Sequence, residues 1–291
     1  MVEAEPVLVT GATGNVGSAV LEALLAAGVP VRAAAGNADR VRERFGDRVQ
    51  AVSLDFTDPG TWTAFVGVRR MFLMRPPQLG KPKTQMLPSL EFARGAGVRQ
   101  VVFLSLQGAE HNKVVPHAAV EDWLRRSGLD WTFVRASFFM QNLTTTHLTD
   151  IRDRDEIVVP AGSGATAFVD ALDVAAVAAA ALIDPGRHRN RAWTPTGPQA
   201  LTYQQIAAEL TTVLGRPIRY PRPGALRYAW HAHRALGMPW PMVAVTTAIY
   251  TVARLGRAGG LTGDVQESLG RDPTTFADFA VREQHQWSPQ R

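Results

Sequence analysis

Glycines 11, 14 and 17 stand at three-residue spacing in Val7-Leu-Val-Thr-Gly-Ala-Thr-Gly-Asn-Val-Gly17, directly after a short apolar run and directly before the helical pattern Ser18-Ala-Val-Leu-Glu-Ala-Leu-Leu25. A strand, a glycine turn and a helix N-terminus together form a site suited to a pyrophosphate. The first helical N–H groups lack internal partners, and the helix dipole favours negative charge there. In that frame Gly11 permits the tight turn, Gly14 lets backbone amides approach a phosphate, and Gly17 lets the helix pack closely on the strand. Thr13, Asn15 and Val16 complete the expected contact set of the turn. The competing reading is a glycine turn with a structural task only.

Further candidates sit at the ends of later apolar runs. The second run ends in Ala34-Ala-Gly-Asn-Ala-Asp-Arg40, with no carboxylate at Ala35 or Gly36, where an NAD site carries one for the ribose hydroxyls. Asn37 and Arg40 would instead meet a 2′-phosphate, so NADP(H) is expected over NAD(H); Arg40 as a solvent-facing helix residue is the other reading. Met74-Arg-Pro-Pro77 would run past the pyrophosphate, with Arg75 pairing to phosphate or to an acidic substrate, unless it is a surface arginine. Ser105 ends a run on the sheet edge where open α/β sheets bind ligands, and its hydroxyl or the Gln107 amide would orient a carbonyl. His111, in the polar loop beyond, is a candidate proton donor. Phe138, Phe139 and Asn142 would wall a pocket for a planar apolar substrate, ordinary core being the alternative.

Those positions need elements to hold them. Apolar runs recur at 7–10, 29–35, 49–54, 71–74, 101–105 and 131–135, with helical segments between, the pattern of a parallel sheet covered on both faces. After Asn142 the rhythm changes. Residues 168–182 read as a strand end passing into an alanine-rich helix, Ala192 to Thr196 as a further strand, and Thr202 to Gln205 as a capping box opening a helix that Gly215 closes. Prolines then break the chain into shorter pieces, and Thr274-Thr275 can cap a last helix. The expected architecture is α/β: a Rossmann-type doubly wound parallel sheet over 1–155, with contributions from about 165–197, and a smaller α+β lobe over 156–291 that binds substrate.

With 291 residues the chain can bury a large core, and its formal charge of +5 comes from arginines scattered against only three lysines. The short basic stretches lack interleaved aromatics, which argues against nucleic acid as a partner. The absence of cysteine excludes thiolate catalysis, and the histidines show no spacing for a metal. No signal peptide is evident, and the longest apolar stretches, 174–183 and 242–253, are too short for a bilayer span; a cytoplasmic protein with no membrane partner is expected. Met238-Pro-Trp-Pro-Met-Val-Ala-Val with Trp230 reads as interface, lid or core, and the oligomeric state is not encoded legibly.

The glycine turn, Leu54-Asp-Phe-Thr-Asp58, Phe103-Leu-Ser-Leu-Gln-Gly108, the segment His117 to Asn142 and the stretch Leu261 to Phe279 together resemble the NmrA-like family of atypical short-chain dehydrogenases/reductases, over nearly the whole chain. The resemblance implies a Rossmann fold with bound NAD(P). It implies activity more loosely, since the family holds quinone, azo-dye and triphenylmethane reductases beside redox-sensing regulators. It also places Asp55 and Phe56 where relatives contact adenine; a mere loop cap is the other reading of Asp55. Many relatives carry an arginine at the position of Gly36. His117 falls where several relatives carry the lysine of a Tyr-x-x-x-Lys dyad. This chain has its tyrosines only at 203, 220, 228 and 250 and no lysine beyond Lys113, so no sequence-local dyad forms. His117 would bond the nicotinamide ribose or donate a proton, unless it simply packs beside Trp123. The resulting expectation is an NAD(P)H-dependent reductase acting on a quinone, enone or aromatic metabolite, with His117 and Ser105 as catalytic candidates. A non-catalytic nucleotide sensor and an NAD(P)-binding enzyme of non-redox chemistry remain the alternatives.

Overall fold

The apolar runs form one seven-stranded parallel sheet in the computed structural model, which describes residues 5–288. From the N-terminus its elements are β1 (Val7–Thr10), α1 (Asn15–Ala26), β2 (Val31–Ala35), α2 (Ala38–Phe45), β3 (Gln50–Ser53), β4 (Arg70–Met74), α3 (Pro82–Gln85), α4 (Leu87–Gly95), β5 (Gln100–Leu106), α5 (Pro116–Arg126) and β6 (Asp130–Ala136). The chain then builds β7 (Phe138–Phe139), α6 (Leu148–Arg154) and β8 (Ala165–Val169), followed by α7 (Ala171–Ile183), α8 (Pro185–His188) and β9 (Arg191–Trp193). Last come β10 (Ala200–Thr202), α9 (Tyr203–Leu214), α10 (Ala225–Arg234), α11 (Trp240–Arg254), α12 (Asp264–Leu269) and α13 (Phe276–Glu283).

Residues divide by their contacts into two compact units: 1–136 with 171–195 and 264–271, and the remainder. In the first unit the sheet order is β3-β2-β1-β4-β5-β6-β9 with every pair parallel, so the winding reverses between β1 and β4. Such a reversal opens a crevice at the carboxyl ends of the strands. Both faces are covered, which is why the strands read as continuous apolar runs rather than alternating ones. On one face Leu90 and Ala93 of α4 and Val120 and Leu124 of α5 pack with Phe103 and Phe133. The alanines of α7 allow it to lie closely against α1. Its last carbonyls are met by Gln100 Nε2 to Ala181 O at 2.8 Å and Arg70 Nη1 to Leu182 O at 2.6 Å.

The second unit carries a three-stranded sheet, β10-β8-β7, with β10 antiparallel and β7 parallel to β8, and a helical majority. The capping box of Thr202 and Gln205 is formed, and Gly215 ends α9 in a left-handed conformation (φ 64°). Two features depart from the sequence pattern. The late strand covers 191–193 rather than 192–196. The chain also leaves the first unit at Ala136 rather than near 155, because β7 pairs with β8 and not with the large sheet, so that Met140, Leu143 and Ile151 enter the second core.

Candidate active site

Gly11 takes φ +64°, the left-handed turn its lack of a side chain permits. A Cβ on Gly17 would lie 2.1 Å from the Gly11 carbonyl oxygen and 2.7 Å from its carbon, so turn and helix meet backbone to backbone. Gly14 is the N-cap of α1, with no side-chain cap and no acidic residue in the first turn, so among the described residues no side chain caps the amides there. Val16 is buried and offers a ligand only its backbone, whereas Thr13 is half-buried and Asn15 exposed. Across the winding reversal, Met74 N donates to Thr10 Oγ1 at 2.9 Å, and the Met74 methyl lies 2.2 Å from where a Gly11 Cβ would be. Met74 thus roofs the turn. Sequence reasoning missed Arg44, whose Nη1 donates to the Thr13 carbonyl at 3.1 Å.

At the end of β2, Asn37 Oδ1 accepts from Asp39 N at 2.7 Å and caps α2, while Arg40 is exposed with no carboxylate partner among the described residues. Asp55 is exposed and accepts from both the amide (2.8 Å) and the hydroxyl (2.7 Å) of Thr57, which hold its carboxyl below the ordinary value. Phe56 is only 5% exposed and belongs to the core of the first unit, so its ring is not available to an adenine.

After β4, Arg75 Nη1 donates to the carbonyls of Pro76, Pro77 and Leu79 at 2.9, 3.2 and 3.0 Å, curling the loop on itself, and its Nε is buried without a partner. His117, in the first turn of α5, lies 5.9 Å from the Phe103 ring, and its Nδ1 is likewise buried and unpartnered. Burial, and then the Arg75 cation, push the His117 pKa down to about 4 against the opposing pull of Glu121. The ring is therefore neutral at pH 7, a hydrogen-bonding group rather than a store of a proton.

Ser105 is 3% exposed and donates its hydroxyl to Glu121 Oε1 at 2.7 Å. Strand register sets Arg135 opposite Ser105, and its Nε and Nη2 grip both oxygens of Glu121 at 3.0 and 2.7 Å; Arg125 adds a contact of 2.9 Å. The serine hydroxyl is thus committed to a buried ionic cluster, which the sequence reading did not anticipate. One signal existed, since Glu121 lies one turn after His117 on the same helix face. Gln107 anchors its loop through N to Ala136 O at 2.9 Å. The His111 side chain is 87% exposed, 3.8 Å from Glu110.

Phe138, Phe139 and Asn142 are half-buried and belong to the second unit, where Phe138 meets Phe168 edge-on at 6.4 Å. All four tyrosines are buried in that unit's core too. Tyr220 donates to Val159 O, Tyr228 to Thr246, and Tyr250 pairs with His147; burial raises each tyrosine pKa. Among the described residues no group of three metal-ligating side chains is brought together.

The profile of the NmrA-like family matches residues 3–227. The chain belongs to the NmrA-like family. Two relatives align with it nearly end to end. An NAD(P)H azoreductase of Xenophilus azovorans is 36% identical over 94% of this chain and 96% of its own. A (4-alkanoyl-5-oxo-2,5-dihydrofuran-3-yl)methyl phosphate reductase of Streptomyces griseus is 34% identical over 98% and 100%. Among solved structures, the triphenylmethane reductase of Citrobacter sp. complexed with NADP(H) superposes with a TM-score of 0.83 at 26% identity, covering 96% of this chain and 99% of the other. This NmrA-like chain is an NAD(P)H-dependent reductase of the atypical short-chain class.

Proposed function

We propose that the protein is an NADPH-dependent reductase that passes hydride to a conjugated, mostly apolar small molecule such as a quinone, an enone or an aromatic metabolite. One observation supports the choice of substrate class: among the described residues, the carboxyl end of the first unit's sheet offers no buried group poised to give up a proton, His111 being exposed in the loop beyond β5. His117 is neutral, the Ser105 proton is given to Glu121, and the tyrosines lie in the core of the second unit. A substrate reduced there must carry its developing negative charge by delocalisation and take its proton from water. Azo dyes and triphenylmethane dyes, named for the relatives, are extended conjugated acceptors of this kind.

The residues present fit a dinucleotide. A side chain at Gly17 would destroy the cradle, the first amides of α1 have no side-chain cap, and two buried nitrogens, Arg75 Nε and His117 Nδ1, lack partners among the described residues. NADPH, when bound, supplies the hydride. The turn at 11–17 would hold the pyrophosphate, and Arg40, with the free amide of Asn37, would favour a 2′-phosphate. The Asp55 carboxylate and the Phe56 backbone would border the adenine. Arg75 and His117 would orient the nicotinamide end by hydrogen bonds. Phe138, Phe139 and Asn142 of the second unit would contact the substrate.

The test incubates purified protein with NADPH and a panel of quinones, azo dyes and enones, following loss of the reduced-nicotinamide absorbance. Turnover of at least one class is expected. Tight NADPH binding without oxidation across the panel overturns the reductase assignment and favours a nucleotide sensor.

A further inference from the structure

Between Glu209 and Asp264 the chain holds seven arginines and neither Asp nor Glu. Within the second unit this stretch forms α10 and α11, joined by Tyr228 against Tyr250 at 5.4 Å and by His233 stacked on Trp240 at 4.3 Å. Helix α11 buries only Val243, Tyr250 and Ala253. Met242, Val245, Ile249 and Val252, at i, i+3, i+7 and i+10, are each 40% exposed or more, and no charge interrupts residues 240–253. A helix that faces water ordinarily carries charged groups on that arc. Leu226 (88%) and Trp230 (59%) extend the apolar surface onto α10. A groove of about 530 Å³, lined by Ala229 of α10 and by Ala244, Thr247, Ala248 and Thr251 of α11 among others, runs along it.

The rim is basic. Arg216 pairs with Asp155 and Arg219 with Glu156, but Arg222, Arg227, Arg234, Arg254 and Arg257 are exposed without a carboxylate partner among the described residues. The Arg234 guanidinium lies 4.7 Å over the Trp230 ring.

We propose that the α10–α11 face docks on an anionic phospholipid surface, lying in the plane of the membrane. Apolar side chains with tryptophan enter the headgroup–acyl boundary while arginines meet the phosphates, the arrangement an in-plane amphipathic segment requires. Charge decides the occupant. A second copy of this chain seated on the same face would set the unpaired arginines of both copies together with no carboxylate between them, a repulsive juxtaposition. At 15 residues α11 is too short to span, and among the described residues no helix is long and apolar enough to cross a membrane. The sequence expectation of no membrane partner rested on span length and the lack of an evident signal peptide, neither of which bears on in-plane binding.

The test sediments the full-length protein with vesicles of phosphatidylcholine alone and of phosphatidylcholine mixed with phosphatidylglycerol, at low and raised salt. Pelleting with the anionic vesicles only, reduced by salt, is expected. Neutralising two arginines in R227Q/R234Q should weaken partitioning about 25-fold, at about fivefold per charge. V245D/I249D should abolish it while melting temperature and NADPH affinity stay at the wild-type values. Failure to pellet, equal pelleting with neutral vesicles, or a wild-type dimer that V245D/I249D dissolves would each overturn the proposal, the last by giving the face to a second copy.

Discussion

Replacing Gly17 by alanine tests the backbone contact at the nucleotide turn. The new Cβ would stand 2.1 Å from the Gly11 oxygen and 3.1 Å from that of Thr10, both main-chain atoms that no rotamer change can move aside. Helix α1 must then retreat by about 1 Å, and it is held from behind by α7. Overpacking of this kind costs roughly 1–3 kcal/mol, or a fall in melting temperature of roughly 3–10 °C for a chain of this size. Gly14→Ala is the control. Its Cβ meets the Gly11 oxygen at 3.3 Å and nothing else closer than 3.8 Å, and its φ of −85° suits alanine. That variant should melt within about 2 °C of the wild type, by the usual size of a mild surface change, yet lose NADPH affinity because the methyl stands where the phosphate approaches. Scanning calorimetry without cofactor and titration calorimetry with NADPH separate the two effects. A Gly17→Ala protein with unchanged melting temperature and cofactor affinity would refute the account of the turn.

Glu121→Gln takes from the buried Arg135 guanidinium its bidentate partner, leaving it only the Glu110 carboxylate at 3.4 Å, and should cost about 3 kcal/mol by chemical denaturation; it should also lower the His117 pKa further, read by NMR titration, because Glu121 is what raises it. His147 is fully buried, and its pKa is pushed down to about 4 from 6.5. The unfolded chain therefore takes the proton first, so this residue's stabilisation is complete above pH 6.5 and is lost as pH falls through about 4. About 3 kcal/mol is at stake, and an unaltered acid limb in His147→Gln would exclude this source. His117→Ala should raise the Kd for NADPH or lower kcat. The kcat profile of the wild type should show no ionisation between about pH 5 and 8 from this ring, and a variant unchanged in both constants would remove His117 from the site.

Much of the first unit was legible because a parallel sheet buried on both faces writes its strands as unbroken apolar runs. The glycine turn was legible because backbone contact at Gly17 tolerates only one residue type. The capping box at Thr202 is a local code and could be read locally. What escaped depends on pairing at a distance. The cluster of Ser105, Glu121 and Arg135 exists only once β5 and β6 are aligned in register with α5 above them. Arg44 meets Thr13 across 31 residues of chain, and Phe56 turns inward because the core, not a ligand, claims its ring. The unit boundary at Ala136 was missed because a two-residue strand, β7, carries too little pattern to announce its change of sheet.

The first unit is assembled from three separate stretches of chain, the last ending at residue 271. A ribosome therefore releases β1 to β6 long before α7 arrives to cover α1 and before β9 closes the far edge of β6. Until then the edge of β6 is unpaired and the apolar flank of α1 is bare, the condition in which nascent chains associate wrongly. It follows that the unit carrying the glycine turn cannot be excised as residues 1–136, and that proteolytic nicks within 137–170 should leave fragments that stay together, because each half of the cut chain still owns part of the same sheet.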